Sequence, residues 1–181
     1  KGTNYKNEIQ QSAFKLTIVS AKVLGVVTLS FYTYAGSSTS TMNVSVSVGH
    51  SCYMDSSPMA FGVYEGFVAN ASSALEATAT VVSTCTSGAS ALITINAGAS
   101  AGPGSADAPV RRMTAGEGKY LVYQVYSDVS RGMVWGNTAP TGVALIGTGI
   151  SQTLTVYGSI LAAQPAAQGV YSDQLGAQLL T

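Results

Sequence analysis

The sequence predicts an all-β sandwich. Three observations carry that expectation: short runs of alternating apolar and polar residues recur down the chain, Gly, Ser, Pro and Asn separate them, and no amphipathic helix of useful length interrupts them. Composition agrees. Of 181 residues, 9% are charged and 46% hydrophobic, and Ser, Thr and Gly dominate the polar remainder, as suits a sheet protein with many turns rather than a disordered chain. That length supports a single domain with a sizeable core. Ten Tyr and one Trp can fill one sandwich core and little more.

Residues 1–35 differ from the rest. Lys1, Lys6, Lys15 and Lys22 stand against one acid, Glu8, and precede an apolar run over residues 23–31. Small residues at Thr33 and Ala35 complete the features of a secretory signal cleaved after Ala35. The run is shorter than the roughly 20 residues that a membrane-spanning helix needs. Without this segment, residues 36–181 carry four Lys or Arg against seven Asp or Glu, a net charge near −3. Nucleic acid is then an unsuitable partner, because a phosphate-binding surface needs clustered cations. Arg111 and Arg112 are the one basic pair in that segment, and such a pair reads as part of a solvated loop.

Residues 42–48 read Met-Asn-Val-Ser-Val-Ser-Val, placing Met42, Val44, Val46 and Val48 on one face of a strand and Asn43, Ser45 and Ser47 on the other. Two readings are open. The segment is either a free arm (residues 36–49) that pairs with the edge of another sheet, or the first strand of the domain at residues 50–181. Beyond it, strands are expected at residues 60–67, 75–85, 91–97, 119–127, 153–160 and 170–180, with a long surface loop at residues 98–118. Six or seven short antiparallel strands suggest a sandwich. In the last run Tyr171, Leu175, Ala177 and Leu179 share a face that Asp173 interrupts.

Cys52 and Cys85 are an even pair in an exported chain, so a disulfide is expected, stapling two strands across the core. His50 lies two residues from Cys52, but with no second His and no further Cys there is no zinc ligand set, and no metal or other cofactor is expected. Catalysis is disfavoured as well. No Ser-His-Asp set with recognisable context, no glycine-rich phosphate loop and no close acid pair stands out, and Asp128 with Arg131 suggests a local ion pair or turn contact. A monomeric secreted module that stacks Tyr and Trp on carbohydrate is the alternative class, although Tyr120, Tyr123, Tyr126, Tyr157 and Tyr171 all fall in strand runs and read as core.

A family resemblance sharpens this. Residues 120–128, Tyr-Leu-Val-Tyr-Gln-Val-Tyr-Ser-Asp, followed by Arg131 and Val134-Trp135-Gly136, resemble the signature of the spore coat U family, which includes the archaic chaperone–usher pilins. Gly147-Thr148-Gly149, Gln152 and residues 154–158 (Leu-Thr-Val-Tyr-Gly, with Tyr157 and Gly158) follow in register, as do Gln164 and residues 169–173 (Gly-Val-Tyr-Ser-Asp). Upstream, Phe61-Gly62 and residues 82–86 match further elements, so the likeness covers residues 42–181. Two departures are Ser159, where Arg is common, and a final strand without a run of β-branched residues.

The resemblance, which extends to the Csu-type major pilin, implies an immunoglobulin-like sandwich that lacks its last strand. A donor strand from a neighbouring subunit would complete it, after a periplasmic chaperone has filled the gap and an outer-membrane usher has guided the exchange. Met42, Val44, Val46 and Val48 would then be the donor residues. At about 2 kcal/mol for each buried side chain they would make a long-lived joint, and a head-to-tail joint that does not close produces a filament. The implied role is a surface pilus for adhesion and biofilm formation, with identical or related pilin subunits as partners.

Overall fold

The computed structural model describes residues 36–181, and the expected export leader at residues 1–35 lies outside the described residues. Among the described residues, eight strands follow in chain order: β1 (Cys52–Ser56), β2 (Leu75–Cys85), β3 (Ser90–Ile95), β4 (Arg111–Thr114), β5 (Tyr120–Tyr126), β6 (Val143–Ile146), β7 (Ser151–Ile160) and β8 (Ala177–Leu180). One 3-10 turn, Ala139–Thr141, precedes β6. The strands form a five-stranded sheet in the order β1-β2-β7-β5-β4 and a three-stranded sheet in the order β6-β3-β8. Every pairing is antiparallel.

Strand β2 shows how alternation becomes a fold. Ala79, Val81, Ser83 and Cys85 are buried while Thr80, Val82 and Thr84 are half-covered, and β2 pairs with β7 from Leu75↔Ile160 to Thr84↔Ser151. On β5 the buried residues are Leu121, Tyr123 and Val125. With Ile93 and Ile95 of β3 and Val156 and Ile160 of β7 they form the core, closed by Trp135. The remaining Tyr positions correct the reading of all five as core: Tyr120, Tyr126 and Tyr157 alternate with buried residues and face outward, whereas Tyr171 packs on the core from the loop before β8.

Other differences from the sequence expectations have local causes. Residues 60–67 form no strand, because side chains rather than a ladder hold them: Tyr64 Oη donates to Leu161 O (2.8 Å), and Asn70 Oδ1 accepts from Glu65 N (3.0 Å). The expected loop at residues 98–118 contains β4, and Arg111 in it is fully buried rather than solvated. The last run contributes only Ala177–Leu180 as strand, with an isolated bridge between Thr114 and Ser172 upstream. Strands β1 and β6 are too short to announce themselves by alternation.

Cys52 and Cys85 are directly opposed at the end of the β1–β2 ladder and form a disulfide. The bridge therefore joins neighbours within one sheet and does not cross the core. Residues 36–51 belong to no strand. Met42, Val44, Val46 and Val48 are 79 to 89% exposed.

The disulfide closes a loop with a sequence separation of 33 residues. The chain-entropy relation gives such a loop about 4 kcal/mol, so the Cys52→Ala/Cys85→Ala variant should lose that much unfolding free energy in a urea titration. An unchanged midpoint would mean that the ladder alone holds β1.

Candidate functional site: an open groove between the sheets

Strand β8 pairs with β3 on one side only, and its other edge has no strand partner. Beside that edge the two sheets part. A cleft of about 480 Å³ opens there, with Ala79, Val81 and Val156 on its floor, Met59 on one wall and Leu175 and Ala177 on the other. It continues past Phe61, Met113 and Tyr171 into a wider cleft of about 760 Å³ lined by Val63, Tyr64, Phe67, Val68 and Val170. The floor is apolar, the walls also carry Ser56, Ser57, Ser172 and Asp173, and the first residue of the free strand, Ala177, stands at one of them. Such a groove accepts an extended segment: main-chain bonds go to the edge and alternate side chains to the floor.

Local sequence choices shape it. Gly158 lies near the end of β7, where a Cβ would stand 2.7 Å from Phe61 Cζ, so glycine lets Phe61 and Met59 lie close against that strand. Phe61 then meets Tyr123 edge-on, with ring centroids 6.2 Å apart. Gln164 serves the sheet in another way. Its side-chain amide donates to Val122 O (2.8 Å) and accepts from Val122 N (2.9 Å), satisfying the β5 backbone beyond the end of the β5–β7 ladder, which stops at Gln124.

Asp173, which breaks the apolar face of the last run, has three partners. Its carboxylate accepts from Tyr123 Oη (2.7 Å), Ala99 N (3.0 Å) and Ser100 N (3.1 Å), tying the loop after β3 to the groove wall. Burial first, and then this bond, pushes the Tyr123 phenol well above its ordinary pKa. Next to it, Arg111 donates from Nε to Asn96 O (2.9 Å), from Nη2 to Ile95 O (2.8 Å) and Trp135 O (2.6 Å), and from Nη1 to Gln124 Oε1. Burial lowers its pKa to about 10, so the guanidinium stays charged at neutral pH. The sequence carried no signal for this role, since residues 110–113 show no alternation and the pair Arg111-Arg112 resembles a surface feature.

Trp135 and Gly136 carry the chain between sheets. Trp135 N donates to Val125 O (3.0 Å) of β5, its indole Nε1 donates to Ile93 O (2.8 Å) of β3, and Gly136 O accepts from Ile95 N (3.0 Å). A Cβ at Gly136 would stand 2.9 Å from Ala106 O, which explains a glycine after the Trp. Asp128 and Arg131 do not pair with each other. Asp128 accepts from Met133 N (2.7 Å), Gly132 N (3.1 Å) and Ser130 Oγ, and these bonds lower its pKa to about 2, the Ser130 hydroxyl having the largest effect. Arg131, at a left-handed φ of 58°, instead meets Glu76 (3.0 Å) beside Tyr157.

The eight strands in two sheets, with an open groove at an unpartnered edge, define an immunoglobulin-like sandwich. The comparisons agree on fold and lineage. The pattern of the Spore Coat Protein U domain (SCPU) matches residues 38–178, and the chain belongs to that family. It is 33% identical over 153 residues to Protein U of Myxococcus xanthus, covering 80% of this chain and 86% of that one. Its fold is similar to a chain of the CsuC–CsuE chaperone–tip adhesion subunit pre-assembly complex from the archaic chaperone-usher Csu pili of Acinetobacter baumannii, with a TM-score of 0.50 and 19% identity. That match covers 73% of this chain and 40% of the other.

Two outcomes follow from these contacts. Arg111→Met should unfold with about 3 kcal/mol less free energy, because it leaves the buried carbonyls of Ile95, Asn96 and Trp135 without donors; chemical denaturation reads this directly. For Asp128 the folded pKa lies below the unfolded value of 3.8, so its contribution is complete above about pH 4 and disappears as pH falls through about 2. The Gly132 and Met133 amide resonances should therefore move together in that window, and should not move in Asp128→Asn.

Proposed function

We propose that the chain is a structural subunit of an archaic chaperone–usher pilus that polymerises by donor-strand exchange. The observation that carries this reading is the pairing of needs within one sequence. The groove lacks a strand beside β8, and residues 42–48 are an exposed, alternating segment with apolar side chains that match its floor. In this reading Met42, Val44, Val46 and Val48 of one copy enter the groove of the next, their backbone adds a strand to β8, and residues 36–49 form the arm ahead of the domain at residues 50–181. Each joint uses the arm of one copy and the groove of another, so growth is head-to-tail and open-ended.

The partners that fit are identical or related pilin subunits, a periplasmic chaperone that occupies the groove before assembly, and an outer-membrane usher. The similarity to a chain of a chaperone–tip adhesion subunit complex supports a chaperone partner. Localisation is secretion through the periplasm to a surface fibre that serves adhesion and biofilm formation. The function is structural rather than enzymatic. The buried Arg111 is committed to backbone carbonyls and Gln124, and the buried Tyr123 hydroxyl to the half-buried Asp173. A carbohydrate-stacking module is less well supported, because Arg112 lies 4.0 Å over the ring of outward-facing Tyr120 and occupies a face that a sugar would need.

Material exported to a periplasm and run without boiling on a non-reducing SDS gel should give a ladder of oligomers that collapses to monomer on boiling. Deletion of residues 36–48, or the single change Val46→Asp, should abolish the ladder while leaving the domain foldable with its chaperone. A soluble, stable monomer from the intact chain would return the protein to the binding-module class.

A further inference from the structure

Strand β7 is paired along nearly its whole length on one side and along only a short part of it on the other. Strand β2 lies beside it from Ser151 to Ile160, whereas β5 pairs with it only from Tyr157 to Ser159, Tyr126 being the last residue of β5. Below that point residues 151–156 present an open edge, and their backbone groups find no partner on that side among the described residues. The edge is accessible: Ser151 and Thr153 are exposed, and Gln152, Leu154 and Thr155 are half-buried. Gln152 Oε1 is buried without a partner among the described residues, so hydrogen bonding at this margin is also incomplete. Open edges are normally blunted by charge, by proline or by shortness. The others among the described strands follow that rule: β1 carries Asp55, β4 carries Arg112, the free half of β2 carries Glu76, and β6 and β8 have four residues each. Residues 151–156, Ser-Gln-Thr-Leu-Thr-Val, offer six positions with no charge and no proline.

We infer that this edge pairs antiparallel with the same edge of a second copy of the chain, joining subunits of two fibres side by side. The fibres rest on the donor-strand reading; the pairing itself needs no arm. Steric limits and side-chain chemistry fix the register. Strand β5 fills the lane beside β7 from Tyr157 onward, so the ladder is confined to residues that clear Tyr126 of the other copy. Centred on Leu154, it runs from Gln152 to Val156. Opposed residues of an antiparallel pair share a face, so Thr153 meets Thr155 of the second copy on the outer face, and Leu154 meets its twin on the inner face. Cross-strand Thr pairs and the burial of a half-exposed Leu both stabilise such a ladder. A contact of one edge with itself closes on two copies and goes no further. The donor-strand groove stays free, because it lies at β8 over Ala79 and Val81 of β2, away from the β5 side of β7. One subunit can therefore hold its neighbours along a fibre and a copy in a second fibre at the same time.

The test uses the exported, assembled chain with the single changes Thr153→Cys, Thr155→Cys and Thr78→Cys, treated with a short bis-maleimide and then boiled. The chain's two native Cys are paired in the disulfide, so labelling is confined to the new thiol. Thr153→Cys and Thr155→Cys should each give a boiling-resistant dimer and nothing larger, since each subunit brings one thiol to a closed pair. Thr78 is exposed on β2 opposite Tyr157. In the paired copies its two positions would stand about 25 Å apart, at ~4.8 Å per strand and ~3.4 Å per residue, so Thr78→Cys should remain monomeric. Adding Thr155→Lys to Thr153→Cys puts a charge on the edge and should abolish the dimer, while the untreated, unboiled ladder persists. Monomer alone from Thr153→Cys or Thr155→Cys, an equal dimer from Thr78→Cys, or a dimer that survives Thr155→Lys would overturn the edge pairing and leave the donor-strand joint intact. The expected dimers without an unboiled ladder would uphold the pairing and overturn the donor-strand joint instead.

Discussion

The Arg111 guanidinium is the constraint on which the rest of the sandwich depends. It starts on β4 in the five-stranded sheet, crosses the interior and binds carbonyls of β3 and the residue after it in the three-stranded sheet. It also takes the carbonyl of Trp135, so the segment that passes between the sheets is clamped at its midpoint. A charge in that position is tolerable only because its donors are taken up, and the same requirement dictates where the surrounding backbone must lie. Core packing alone would hold two greasy faces together, but it would not set their angle or register so specifically. Beside the clamp, Trp135 and Ile93 close the core, the Trp135 indole donating to Ile93 O.

Much of the fold was legible because its longer strands obey a two-residue period. Strands β2, β5 and β7 alternate over seven to eleven residues, and their inward faces follow from the sequence. What escaped was whatever depends on single long-range bonds. Strand β4 has four residues and carries the buried Arg111 in a stretch without alternation. Residues 60–67 have strand-like composition but are spent on packing Phe61 over Gly158 and on the Tyr64 hydroxyl. The tyrosines divide in the same way: Tyr123 points inward beside Asp173, and its neighbours in the motif point outward, a distinction set by register and not by residue type.

The candidate site was legible in part, and its two halves differ in kind. The alternation of residues 42–48 is visible in sequence because a strand that presents one apolar face must write it residue by residue. The groove is not, because its floor is assembled from β2 and β7, and its walls come from chain segments more than a hundred residues apart. The Cys pair was readable, but the sheet it staples was not, since pairing order is a property of topology. Gln164 stood out only as a motif residue, and its mimicry of a strand neighbour becomes apparent once the β5–β7 ladder is seen to stop at Gln124, short of Val122.

The position of the disulfide has a mechanical consequence. Tension applied through residues 42–48 would reach the domain at Cys52, the first residue of β1, a strand whose five-pair ladder would otherwise peel one bond at a time. The bridge diverts that load at once to Cys85, the end of the strand that shares ten residue pairs with β7. Pulled along its axis, that longer ladder resists in shear, with its bonds strained together rather than in succession. The covalent link therefore sets the rupture point of the subunit in the middle of its largest sheet, away from the thin strand where the pull arrives.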